Sequence, residues 1–172
     1  MTHLLRPLAA LLLLALAIPA SGPAAAQAQG ARVEFGGLRQ DPGQPVEVTA
    51  DSLTVNQADG TALFEGNVVA VQGELRLGAA AVRVEYAETG GIARLTATGG
   101  VTLASATDAA EAREAVYEIA TGTVTMTGDV LLTQGRTAIS GQRLVLDLEA
   151  GTGRMEGRVQ TVFTPGGGTV RN

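Results

Sequence analysis

The chain has 172 residues, a formal net charge of -5 and no cysteine, and its 12 cations are all arginine. The charges are spread along the chain without a basic cluster, which excludes the electrostatic stripe that nucleic-acid binding needs. Without cysteine there are no disulfides, no thiol catalysis and no thiolate metal sites.

The first 28 residues read as a leader. Arg6 is the only charge before an unbroken apolar run, residues 8–18, and Ala26-Gln27-Ala28 has the small-residue pattern of a cleavage site. The apolar run is shorter than the roughly 18 residues expected of a membrane-spanning helix. A cleaved signal peptide at 1–28 is therefore expected, leaving a soluble exported chain that begins at Gln29. Next comes a short strand beginning at Arg32, then glycines and a proline.

From Pro45 onward the sequence repeats. Four segments share a frame in which a turn glycine leads into a strand that ends in Gly-x-Val. They are Gly60 to Val68, Gly91 to Val101, Gly122 to Val130 and Gly151 to Val159. The closing valines are 33, 29 and 29 residues apart, so the second unit carries an insertion or bulge. Seven and five residues before each glycine stand Leu53 and Val55, Val84 and Tyr86, Ala115 and Tyr117, and Leu144 and Leu146. Four residues after it stand Phe64, Leu95, Met126 and Met155.

Alternation of this kind, with Thr, Val and turn glycines, predicts strands. Residues 108–119 have helical propensity, but 115–119 fall in the repeat frame and are read as strand. Residues 159–163 form a last strand, and the proline and glycines at 165–168 open a flexible tail, 165–172. The fold class is all-β. A strand pair cannot bury its apolar face alone, so the units must stack, either as a coiled solenoid or as an open jelly-roll with two facing antiparallel sheets. Either would leave exposed edge strands at its two ends.

The residues for catalysis are missing. The only histidine is His3, inside the leader, which removes Ser-His-Asp chemistry and imidazole metal ligation from the exported chain. Ser52, Ser105 and Ser140 lie in no nucleophile-elbow context. The acid pairs Glu85 with Glu88, Glu111 with Glu114 and Asp147 with Glu149 read as solvated, because acids are rarely buried unpaired. Asp51, Asp59 and Asp129 read as turn acids, without the spacing of a calcium loop. Gly151, Gly153 and Gly157 miss the spacing of a phosphate loop. No metal site and no enzyme activity are expected.

The stretch Gln44-Pro-Val-Glu-Val-Thr-Ala-Asp51, then Gly60-Thr-Ala-Leu-Phe-Glu-Gly-Asn-Val68 and Gln72-Gly-Glu-Leu-Arg-Leu77, resembles the OstA-like family of lipopolysaccharide-transport proteins. The similarity runs from Val46 to Phe163, placing the domain at 29–164. It implies an open, twisted β-jelly-roll of stacked strand pairs, located in the periplasm, that takes lipid A acyl chains into an apolar interior. It implies no cofactor. As partners it implies lipopolysaccharide, an LptC-like inner-membrane protein at the N-terminal edge, an LptD-like outer-membrane protein at the C-terminal edge, and head-to-tail self-association. Matched to the family's lining strands, the lipid contacts are Val46, Val48, Leu53, Val55, Phe64, Leu103, Tyr117 and Ile119. Arg76 and Arg83 read as ordinary surface residues. The competing function is a structural or adhesive solenoid with a dry, packed interior.

Overall fold

The computed structural model describes residues 31–34, 45–88 and 90–164, so the leader at 1–28 and the tail at 165–172 lie outside the described residues. Eleven strands follow in order: β1 (Ala31–Glu34), β2 (Glu47–Thr49), β3 (Ser52–Asn56), β4 (Thr61–Gln72), β5 (Leu75–Tyr86), β6 (Ile92–Ala104), β7 (Asp108–Glu118), β8 (Thr123–Gln134), β9 (Thr137–Asp147), β10 (Thr152–Glu156) and β11 (Gln160–Phe163). Between β7 and β8 the segment Ile119–Thr121 makes a single 3-10 turn, so Ile119 leaves the strand it was expected to end. The helix-prone run at β7 is strand because both its edges are paired, to β6 and to β8.

All strands belong to one antiparallel sheet, in the order β1-β10-β9-β8-β7-β6-β5-β4-β2, with β3 also on β4 and β11 also on β9. The strands of the repeat are longer than the frame suggested. β4 to β9 each run through a mid-strand kink, and each side of the kink pairs separately. β3 takes the first half of β4 and β2 the second, while β10 and β11 divide β9 in the same way. One continuous sheet is thus folded into two facing halves, where the jelly-roll reading had two sheets.

The kinks come from the Gly-x pairs. In Gly66-Asn67, Gly99-Gly100, Gly128-Asp129 and Gly157-Arg158 every residue has positive φ, from 47° at Asn67 to 86° at Gly128. Two residues on β4 and β8 stand against one on the neighbouring strand, the definition of a bulge. At Gly66 the neighbour leaves no room for a side chain, since a Cβ there would lie 2.8 Å from the Cβ of Asp51. Asp51 closes the kink by donating its N–H to the Gly66 carbonyl at 2.9 Å and accepting from the Asn67 amide at 2.8 Å.

The bulges also set which side chains face inward. Inward positions step by four across the kink in the bulged strands (64 to 68, 126 to 130) and by three in their partners (79 to 82, 141 to 144). Directly paired residues share a face, so the pairing defines rows running across the sheet. One row is Leu53-Phe64-Val82-Ala97-Ala115-Met126-Leu144-Met155. A second is Val55-Ala62-Val84-Leu95-Tyr117-Val124-Leu146-Gly153. On the other half a third runs Val48-Ala70-Leu77-Leu103-Ala110-Leu132-Ile139-Thr161. These rows carry most of the buried core.

The second unit's extra residues lie in its turn. Residues 86–93 separate the paired Glu85 and Arg94, where residues 119–122 separate Glu118 and Thr123. Ile92 pairs with Tyr86 across a small bulge there. The repeat frame is corrected accordingly. Ala97, not Leu95, is the counterpart of Phe64, Met126 and Met155; Val82 and Val84 are the inward pair, and Tyr86 is exposed. Leu95 still faces inward, because the offset is two residues and conserves the alternation.

Candidate functional site

Between the two halves lies an apolar groove of about 930 Å3, counting its open mouth. One wall comes from Phe64, Val82, Val84, Leu95, Ala97, Ala115, Tyr117 and Val124, the other from Val46, Val48, Ala70, Leu75, Leu77 and Leu103. Ile92, Ile119 and Leu148, all near the turns, line it as well. Gln72 is the one side chain of the lining that is neither aliphatic nor aromatic.

Small side chains at a few inward positions widen the groove. Ala97 and Ala115 stand in the row where β8 to β10 carry Met126, Leu144 and Met155, and Ala70 in the row where β8 and β9 carry Leu132 and Ile139. Phe64, Leu77, Leu95 and Tyr117 are only partly covered, so their apolar surface borders open space. Such a surface attracts hydrocarbon without directing it, since burial of apolar area has no angular preference. An alkyl chain would fit; a polar or charged ligand would lose hydration with little in return.

The residues expected to contact lipid divide in two. Val46, Val48, Phe64, Leu103, Tyr117 and Ile119 all line the groove. Leu53 and Val55 do not: they continue the inner face beyond Phe64 and Ala62 onto the edge strand β3, where both are more than half exposed. Leu75, Leu77, Val82, Val84, Ile92, Leu95, Ala97, Ala115, Val124 and Leu148 also belong to the lining and were absent from the expected set. Their signal was present as alternation along β5 and β6, but it changes phase at each kink.

Polar groups serve the outer face and the turns. Arg94 lies between its two cross-strand partners, donating to Glu118 at 2.7 Å and facing Glu85 at 3.7 Å. The hydrogen bond to Glu118 and the two carboxylate charges hold its guanidinium above the usual arginine range. Arg143 and Glu156 make a similar pair at 3.6 Å, and Arg113 pairs with Asp129 at the β8 kink. Asp147 accepts the N–H groups of Glu149 and Ala150, at 3.1 and 2.8 Å, and so caps the turn after β9. Gly151 is the left-handed residue of that turn, Gly153 an inward position of β10, and Gly157 a kink. Arg76 and Arg83 are exposed on the outer face. Among the described residues no three His, Cys, Asp or Glu side chains gather into a metal-binding group.

Known proteins place this geometry. The sequence model of the family described as LptA/(LptD N-terminal domain) LPS transport protein matches residues 47–152. No curated protein matches the chain. Among solved structures, it is similar to LptH, the LptA-homologous periplasmic component of the lipopolysaccharide transport device from Pseudomonas aeruginosa. The TM-score is 0.64 at 20% sequence identity, covering 71% of this chain and 96% of LptH. At that identity the likeness concerns the fold: the same open β-jelly-roll.

Proposed function

The chain belongs to the LptA/LptD N-terminal domain family of lipopolysaccharide-transport proteins, and from that premise we propose that it is a periplasmic carrier whose groove holds the acyl chains of lipid A. The family is one of transport proteins and not of enzymes. The observation that carries the reading is the groove itself, apolar along both walls and open at its mouth. Each methylene buried contributes about 0.8 kcal/mol, so several acyl chains can be held without a single directed polar contact. A dry structural solenoid would have its interior filled, whereas here Phe64, Leu77, Leu95 and Tyr117 border open space.

In this role the chain bridges the inner and outer membranes. The β2/β3 edge receives lipopolysaccharide from an LptC-like protein, and the β11 edge passes it to an LptD-like protein or to a second copy. Among the described residues the outer sides of these edge strands have no strand partner, which supports strand addition between molecules. Handing cargo from one groove to an equivalent one needs no catalytic group.

The deciding experiment fills the groove. Ala97→Leu places a large side chain on the groove wall and should lower binding of a fluorescent lipid A probe by tenfold or more, on the order of the methylenes it displaces. Its circular dichroism should match the wild type. Unchanged probe binding in a folded Ala97→Leu protein would reject the groove as the acyl site. Export is tested separately: N-terminal sequencing of the periplasmic fraction should begin at Gln29.

A further inference from the structure

The two ends of the sheet do not match as they stand. Every pairing is antiparallel, so β4, β6, β8, β10 and β11 run one way and β1, β2, β3, β5, β7 and β9 the other. One half of the fold consists of β3, the six long strands β4 to β9, and β10; the other consists of β2, the same six, and β11. Without β1 both halves therefore hold eight strands. β1 adds a ninth to one half only. The C-terminal end is thus stepped by one strand spacing, about 4.8 Å.

That step decides what the C-terminal end can accept. A second copy stacked in the same orientation presents β2 and β3 at one level, both paired to its β4. Against β10 and β11 both incoming strands run antiparallel, and the alternation of the sheet continues across the join. Against β1 the incoming β3 would run parallel, and β2 would stop one spacing short of β11. The side chains agree with the first arrangement. Leu53 and Val55, 55% and 59% exposed on β3, would extend the inner rows that end at Met155 and Gly153. Val48 would extend the row that ends at Thr161.

We propose that β1 is an intramolecular cap, holding the place on β10 that β3 of a second copy takes when two molecules join end to end. The proposal rests on the reading of the two edges as joining ends, and adds what regulates one of them. β1 is antiparallel to β10, as the incoming β3 would be, so the two compete for one set of backbone groups. The cap offers four residues to one half. The incoming end offers the five residues of β3 to β10 and the three of β2 to β11, and covers Leu53 and Val55 as it does so. Belonging to the same chain, β1 prevails at low protein concentration through its high effective concentration, and yields as copies accumulate.

Two changes free β10: deletion of residues 29–36, and Arg32→Pro together with Val33→Pro in the intact chain. Successive residues of an antiparallel strand turn their N–H groups to opposite sides, so two adjacent prolines remove one that faces β10. Sedimentation velocity should show self-association at least about tenfold tighter in both forms than in the wild type. Amides of β8 and β9 should remain as protected from exchange as in the wild type, which reports the fold. The chain has no cysteine, so an introduced pair reports the join directly. With Thr54→Cys and Arg154→Cys, a short thiol cross-linker should join separate copies of the deleted chain, and several-fold fewer copies of the intact one.

Equal or weaker association on freeing β10 would overturn the cap. So would a deleted chain that associates without linking position 54 to position 154. The proline variant keeps the full chain, and so stands even if the deletion perturbs folding. Absence of association in every form is a distinct result: it would reject end-to-end joining itself, and the cap with it.

Discussion

Single residues at the kinks determine whether the sheet can fold over at all. Gly66 has φ of 80° and lies against the Asp51 side chain, whereas Gly78 has ordinary backbone and nothing within 4 Å of where its Cβ would be. Gly66→Ala should therefore cost about 1–3 kcal/mol of stability, the usual penalty for a side chain held at such a φ. Gly78→Ala should change stability by less than about 1 kcal/mol, and in the stabilising direction, through the unfolded chain. Urea midpoints of the two variants check both outcomes. The sequence marked Asp51 and Asp129 as turn acids, which is close to their role. It could not show that each closes a kink in the middle of a long strand, because the partners Asn67 and Arg113 are 16 residues away.

Among the elements, the strand identity of the repeats was legible and their length was not. Glycine followed by alternating Thr and apolar residues is a local signal, and it located the first half of β4, β6, β8 and β10 correctly. The second halves were hidden by the phase change at the bulges: Ala79 and Val82 both face inward three residues apart, which no period-two pattern predicts. The same break concealed most of the groove lining on β5. Packing is also uneven between elements. Leu144 on β9 is fully buried, whereas Val46, just before β2, is about half exposed. Leu144→Ala should lower stability by about 2–5 kcal/mol, the range for emptying a closed core site. Val46→Ala should cost less than about 1 kcal/mol. Chemical denaturation would show this contrast, and equal losses would contradict the division into a packed end and an open end.

At the scale of the whole molecule, the stacking of repeated strand pairs anticipated an array with two exposed edges, and the structure alters one of them. β1 pairs with β10, from Ala31 opposite Met155 to Glu34 opposite Thr152, so half of the C-terminal edge is covered by the chain's own first strand. The β11 half carries exposed Val162 and Phe163. An uncovered edge is a template for strand addition. Removing residues 29–36 should therefore raise self-association in sedimentation velocity, and removing 159–172 should lower it. No local pattern in the sequence pointed to the pairing of β1 with β10, because it joins residues at opposite ends of the domain.

That pairing also sets an order in time. Every other strand bonds to a near neighbour in sequence, whereas Ala31 must wait for Met155 to arrive. The entropy lost in closing a loop grows with its length, so contacts between distant residues are the last to repay their ordering. The first of the described strands in the chain is thus the last to be fixed. Its amides should exchange with solvent well before those of β8 and β9.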